Sequence, residues 1–264
     1  MTIATPFTLN RISPMSLFER PSKSVLFCDF DGPIVDVAER YYRTYRLGLS
    51  TLQMSHQAQQ GETLPLQLLS KQQFWGMKRH RVADVDIAMR SGVPEHLVET
   101  LLHQVGRIVN HPYLLRWDCL QPGADCALRQ IKQMGTRLVL VTLRHPRQVK
   151  AFLQAHDLSQ YVDEVFGASD VSAAHLNRVE QKAELLQAAI AAQQDRGYIT
   201  DFTYMIGDTE ADIVAGQTAN LRTVALTCGI RSQSYLENYQ PAVVASNLLE
   251  AVYDTAVTEV LQAA

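Results

Sequence analysis

The sequence predicts an α/β fold in which a parallel sheet, covered by helices on both faces, is interrupted by a small all-helical unit. Three observations carry this. The apolar run at 24–30 is too continuous for a half-exposed edge and suits a buried parallel strand, and further strands read at 137–142, 202–206 and 222–227. Helical patterns separate the later runs, and that alternation marks strand–helix–strand units. Between the first run and the others, residues 37–116 carry helical spacing and little that reads as strand. The length of 264 residues allows one large domain or two small ones, at roughly 100–200 residues each, and a hydrophobic fraction of 47% supplies a core.

The elements follow in order. Residues 1–21, with Pro6, Pro14 and Pro21 and no apolar stretch of signal-peptide length, read as a loose arm. The strand at 24–30 runs into Asp31-Gly32-Pro33, a turn signal. Residues 37–49 form a helix carrying Tyr41, Tyr42 and Tyr45, followed by a polar, Gln-rich stretch at 56–61. A second helical run covers 66–78 after Pro65, a short one 84–89, and Pro94 opens a stronger one with Leu97, Leu101, Val105 and Ile108 in phase. Pro122-Gly123 restarts the alternation: a helix ending at Gly135, the strand 137–142, a helix at 147–155 and a short strand near Val165. The longest helix is expected at 177–194, with Val179, Ala183, Leu186 and Ile190 on its buried face. The strand 202–206 leads into Gly207-Asp208, a helix covers 210–219, and 222–227 is the last strand. The core therefore comprises 22–36 and 117–264, split by the helical unit at 37–116.

Composition narrows the function classes. Lys+Arg 24 against Asp+Glu 27 gives a net charge of −3, which speaks against a polyanion-binding protein, so no nucleic-acid partner is expected. No apolar run approaches the ~18 residues of a membrane span, so no membrane partner is expected either. Four cysteines with no C-x-x-C pair read as free thiols in a reducing compartment, and the expected location is cytoplasmic. The histidines His56, His103, His111, His145 and His175 have no metal-ligand spacing.

In open α/β sheets ligands bind beyond the carboxyl ends of the strands. Three such ends carry polar residues here: Asp29 and Asp31, then Thr142, then Asp208 and Asp212. Acids at the ends of apolar strands are costly unless paired or bound to metal, and oxygen ligands gathered at one sheet edge suit Mg²⁺. One carboxylate of the Asp29/Asp31 pair can attack an electrophile while the other handles protons, though turn formation and helix capping also explain such a pair. Thr142 offers a hydroxyl to a phosphate oxygen; helix capping is its other explanation. Lys182 lies in a helix whose polar residues face water.

Together these residues resemble the haloacid dehalogenase-like (HAD) phosphohydrolase superfamily, from about Ser24 onward. VLFCDFDGPIVD resembles the motif h-h-D-x-D-G-x-x-x-D, LVLVT the strand ending in Thr or Ser, Lys182 the third motif, and IGDTEAD the motif G-D-x-x-x-D. The resemblance implies a Rossmann-like parallel sheet core of HAD type with an inserted helical cap, similar to the phosphoglycolate phosphatase and β-phosphoglucomutase branch. It implies that Asp29 is the nucleophile, Asp31 the proton carrier, Thr142 the phosphoryl holder and Lys182 the charge-neutralising group. Mg²⁺ would be held by Asp29, Asp208 and the backbone carbonyl of Asp31, with Asp212 contributing through water or orientation. Gly32, Leu143, Arg144, Lys78 and Arg79 are the candidate substrate-binding residues, the last two from a basic cluster in the cap. Three features depart from the branch: Pro33 follows the D-G pair, Arg144 follows Thr142-Leu143, and the third motif lacks its usual Lys-Pro setting, which leaves Arg178 as a competitor to Lys182.

The function so implied is Mg²⁺-dependent hydrolysis of a small phosphorylated metabolite by a monomer or weak homodimer. A phosphomutase shares the core residues. A phosphonate hydrolase would need a cap lysine, either Lys71 or Lys78. A binding protein that kept the fold is the non-enzymatic alternative. Asp31 speaks against a dehalogenase, which needs no general acid there.

Overall fold

Residues 24–254, except 172 and 202, are described by a computed structural model. The arm expected over 1–21 lies outside the described residues. Strand β1 (Val25–Cys28) is followed by the two-residue β2 (Val35–Asp36). Five helices come next: α1 (Ala38–Gln60), α2 (Lys71–Arg79), α3 (Asp84–Arg90), α4 (Glu95–Ile108) and the short α5 (Pro112–Leu115). The chain then continues through β3 (Cys119–Leu120), α6 (Ala124–Gln133), β4 (Arg137–Thr142), α7 (Pro146–Ala155), β5 (Glu164–Gly167), α8 (Ala173–Leu176) and α9 (Val179–Asp195). It ends with β6 (Tyr204–Gly207), α10 (Glu210–Thr218), β7 (Arg222–Leu226), α11 (Gln233–Glu237), β8 (Val243–Ala245) and a helix at 248–254.

Six strands form one parallel sheet in the order β5-β4-β1-β6-β7-β8. Each central strand is buried on both sides because alternate side chains meet different helix layers. Leu26, Cys28, Leu138, Leu140 and Ile206 pack with Leu128 and Ile131 of α6 and Val149 and Leu153 of α7. Val25, Phe27, Val139, Val141 and Met205 pack with Leu186 and Ala189 of α9 and Ala215 of α10. The chain moves outward from β1 through β4 to β5, then returns to the other side of β1 with β6. Strand order thus reverses at β1, and a crevice opens beyond the carboxyl ends of β4, β1 and β6.

The helices between β2 and β3 have a core of their own: Tyr45, Leu49 and Leu52 of α1 meet Phe74 of α2, Ile87 and Ala88 of α3, and Val98 and Leu101 of α4. Both ends of this insert are tied together, since β2 and β3 pair antiparallel with Val35 opposite Leu120 and Asp36 opposite Cys119. Asp36 also accepts the Ala38 amide at 2.8 Å, where the chain turns into α1.

Three expectations change. The longest helix among the described residues is α1, not α9: it has 23 residues and continues through the Gln-rich stretch as far as Gly61. Gln, Met and Leu are good helix formers, and Gly61 ends the helix in a left-handed conformation (φ 73°) that a side chain disfavours. The run at 66–78 becomes helical only at Lys71, because Ser70 and Gln73 form a capping box that sets the start. On α9 the buried stripe is Lys182, Leu186, Ala189 and Gln193, so two polar residues occupy positions that the apolar periodicity assigned elsewhere.

Candidate active site

Three strand ends meet at the crevice. Asp29 directly follows β1 and donates its amide to the Ile206 carbonyl at 2.8 Å, which extends the pairing with β6 by one step. Thr142 is the last residue of β4, and Asp208 follows Gly207 at the end of β6. Asp29, Thr142, Lys182, Asp208 and Asp212 are all buried. All but Asp212 line one cavity of about 60 Å³, together with Asp31, Leu143 and Arg144.

Lys182 reaches this cavity from the buried stripe of α9. Its Nζ lies 2.9 Å from Asp29 Oδ1 and 2.7 Å from Asp212 Oδ1. Burial alone would depress its pKa, but Asp212 and Asp29 together hold the ammonium above its ordinary value. Arg178, the competing candidate, is exposed at the start of α9. Asp212 uses its other oxygen on the Thr209 amide (3.0 Å) and hydroxyl (2.7 Å), so it fixes the first turn of α10 as well as the lysine.

Asp29, Asp208 and Asp212 each offer a carboxylate oxygen within 4.8 Å of the others. Three buried acids against one lysine leave an excess of negative charge, and the pKa shifts record it. Burial, opposed by Lys182, pushes the Asp29 carboxyl up to about 7. Burial and the neighbouring Asp212 and Asp29 push Asp208 well above the carboxylate range. Asp208 Oδ2 accepts the Ile230 amide at 2.6 Å, whereas its buried Oδ1 has no hydrogen-bond partner. Gly32 and Gly229 let the backbone approach this residue: a Cβ on Gly32, which sits at φ 97°, would lie 2.1 Å from Asp208 Cγ, and one on Gly229 1.9 Å from Oδ2. An orphaned oxygen in an all-carboxylate set fits a hard divalent cation such as Mg²⁺.

The Asp31 carboxylate stands apart from that cluster. Arg40 Nη2 lies 3.1 Å from its Oδ2 and Arg144 Nε 3.1 Å from its Oδ1. Pro33 costs this turn no hydrogen bond, because its donors are the amides of Gly32, Ile34 and Val35.

The insert supplies the opposite wall through Tyr41, Lys78, Arg81 and Asp84, joined by His175, Asn177 and Arg231 of the core. Lys78 is buried against Asp84 (2.7 Å), and burial lowers its pKa. Burial, reinforced by Lys78, also lowers that of His175. Arg79 is not in the cavity wall; it donates to the Thr227 carbonyl at 3.0 Å, while its own carbonyl accepts the Ser232 amide at 2.9 Å. Lys71 pairs with Glu39 at 2.7 Å, on an exposed face of the insert. A second, apolar cavity of about 40 Å³ lies inside the insert and shares Tyr41, Lys78, Asp84 and His175 with the first. Sequence reasoning missed Arg40, Asp84, Asp118 and Arg231, for which neither periodicity nor motif spacing gives a signal.

Comparisons with known proteins agree with this geometry. The family model described as haloacid dehalogenase-like hydrolase matches residues 23–220. Pyrophosphatase PpaX of Bacillus mycoides is 31% identical over 117 residues, 44% of this chain and 51% of that protein. The chain thus spans about half the length of the curated relatives it matches. A predicted phosphoglycolate phosphatase of Haemophilus somnus superposes with a TM-score of 0.61 at 17% identity, over 89% of this chain and 99% of that one. A HAD-superfamily hydrolase of subfamily IA from Geobacter sulfurreducens gives 0.58 at 18%, over 89% and 97%. At such identities the structural likeness speaks for the fold alone. With its parallel sheet, its acids at the switch point and a family match over most of its length, the chain belongs to the haloacid dehalogenase-like hydrolases.

Proposed function

We propose that this enzyme is a Mg²⁺-dependent phosphatase that cleaves a small phosphorylated metabolite through an aspartyl-phosphate on Asp29. The observation that carries the reading is the pairing of Asp29 with Lys182 at the end of β1, facing the cavity that Thr142 and Asp208 also line. The name of the curated relatives, a pyrophosphatase, supports phosphate chemistry.

Asp29 attacks phosphorus and the ester P–O bond breaks. Asp31 gives a proton to the departing oxygen and later takes one from the water that opens the acyl phosphate, so one water is consumed and inorganic phosphate released. Lys182 balances charge on Asp29 and the phosphoryl group, and the Thr142 hydroxyl holds a phosphoryl oxygen. Asp29, Asp208 and the Asp31 backbone carbonyl would hold the cation, with Asp212 behind them. When bound, the cation offsets the repulsion between carboxylate and phosphate. Leu143 and Arg144 border the phosphoryl end, and Lys78 faces the leaving group from the insert, which we take as a helical cap over 37–116. Arg79 serves to dock that cap.

The test is phosphate release over a panel of phosphorylated metabolites with Mg²⁺. Intact protein should release phosphate from at least one, and Asp29→Asn should fall to background; equal rates for the two would overturn the mechanism. One observation favours a second reading. Lys78 is an amine with a lowered pKa in the cavity wall, the feature a phosphonate hydrolase needs for imine formation. Borohydride inactivation in the presence of an aldehyde phosphonate, absent in Lys78→Arg, would select that reading.

A further inference from the structure

Four buried or half-buried side chains close a ring beside the cavity. Arg40 of α1 bridges Asp31 (Nη2 to Oδ2, 3.1 Å) and Asp118 (Nε to Oδ1, 2.9 Å). Arg144, after β4, bridges the same two acids (Nε to Asp31 Oδ1, 3.1 Å; Nη2 to Asp118 Oδ2, 2.5 Å). Each acid accepts one hydrogen bond at Oδ2 and has an arginine Nε in ionic contact with Oδ1, so neither can rotate without breaking a contact. The Arg40 and Asp118 side chains are at most 1% exposed and that of Arg144 2%, whereas Asp31 keeps 18% and faces the cavity.

We propose that Asp118 is a positioning residue for the proton-carrying Asp31, acting through Arg40 and Arg144. Without Asp118, two guanidinium groups would share one acid in a buried place, and either would be free to turn toward other acceptors. Asp118 supplies the second carboxylate, so that each arginine is held between two acids, by one hydrogen bond through Nη2 and one ionic contact through Nε. The Asp31 carboxylate is thereby held over the cavity, apart from the Asp29/Asp208/Asp212 cluster. Arg40 also donates to Asn110 Oδ1 at 2.6 Å, which anchors it on the insert side. The ring draws its members from both connections of the insert, Arg40 just after β2 and Asp118 just before β3, and from two strand ends of the core. This inference rests on the role read above for Asp31.

The test is a double-substitution cycle with Asp118→Asn and Asp31→Asn. Asp118→Asn should lower kcat about tenfold, with KM and inhibition by inorganic phosphate within about threefold of wild type, because Asp29, Thr142 and Lys182 are untouched. In the Asp31→Asn background it should cost less than about twofold. An unchanged kcat, an equal cost in both backgrounds, or an equal loss of phosphate affinity would overturn the proposal. Thermal unfolding of the same four proteins gives a readout independent of turnover: the losses should be non-additive, and additive losses also overturn it. If wild type releases no phosphate, the functional reading falls by itself and the unfolding cycle still decides whether Asp118 and Asp31 are coupled. Arg40→Lys, which keeps the charge but loses the guanidinium, is the second variant should Asp118→Asn fail to fold, with the same expectations.

Discussion

The excess negative charge around Asp29 makes stability depend on pH and metal. Burial raises the Asp29 carboxyl to about 7, and Asp208 is raised as well, so between the ordinary carboxylate range and that value the folded chain holds protons that the unfolded chain has lost. Their contribution is complete at low pH and is lost as pH rises through about 7. A divalent cation held by these acids would bind the deprotonated form and reverse the loss. Without metal, the melting temperature should therefore fall from pH 5 to pH 8, and Mg²⁺ should raise it much more at pH 8 than at pH 5. An equal Mg²⁺ shift at both values would refute the account.

At the scale of elements, the start of α2 orients Lys78 and Arg79, and one capping box sets that start. Ser70→Ala should destabilise the protein by about 1 kcal/mol, seen as a lower denaturant midpoint with unchanged slope. A loss much below that would mean that tertiary packing alone fixes the helix. Elements with a strong local signal were legible in the sequence: β4 occupies the expected residues, and α6 and α10 differ by a residue or so. The two-residue strands β2 and β3 were not, because such short pairing is dictated by the chain's return rather than by residue pattern. Lys182 was legible only through a motif. A lysine on a helix ordinarily faces water, and what buries this one is a pair of acids distant in sequence, Asp29 and Asp212. Asp118 was invisible for the same reason, since its partners Arg40 and Arg144 are joined to it only by the fold.

Over the whole molecule, the insert meets the core through Tyr41 and Trp75, which pack against the main core cluster, and through polar contacts. Arg79 reaches the Thr227 carbonyl, Arg81 pairs with Glu210 at 3.0 Å, and Arg231 donates to the Lys78 carbonyl at 3.1 Å. The cavity of about 60 Å³ lies between this insert and the strand ends of the core. Arg79→Ala removes one charge-assisted hydrogen bond between insert and core, a contribution of about 1.5 kcal/mol, and should lower the denaturant midpoint accordingly. An unchanged midpoint would sink the docking role. No helix among the described residues is long and apolar enough to cross a membrane. The β2–β3 ribbon has a consequence of another kind. Because the insert leaves and rejoins the core at facing residues, Asp36 and Cys119, it is a cassette: a different helical module could be spliced between these points without lengthening a strand or shifting the register of the sheet, and selectivity could diverge while the reaction stays the same.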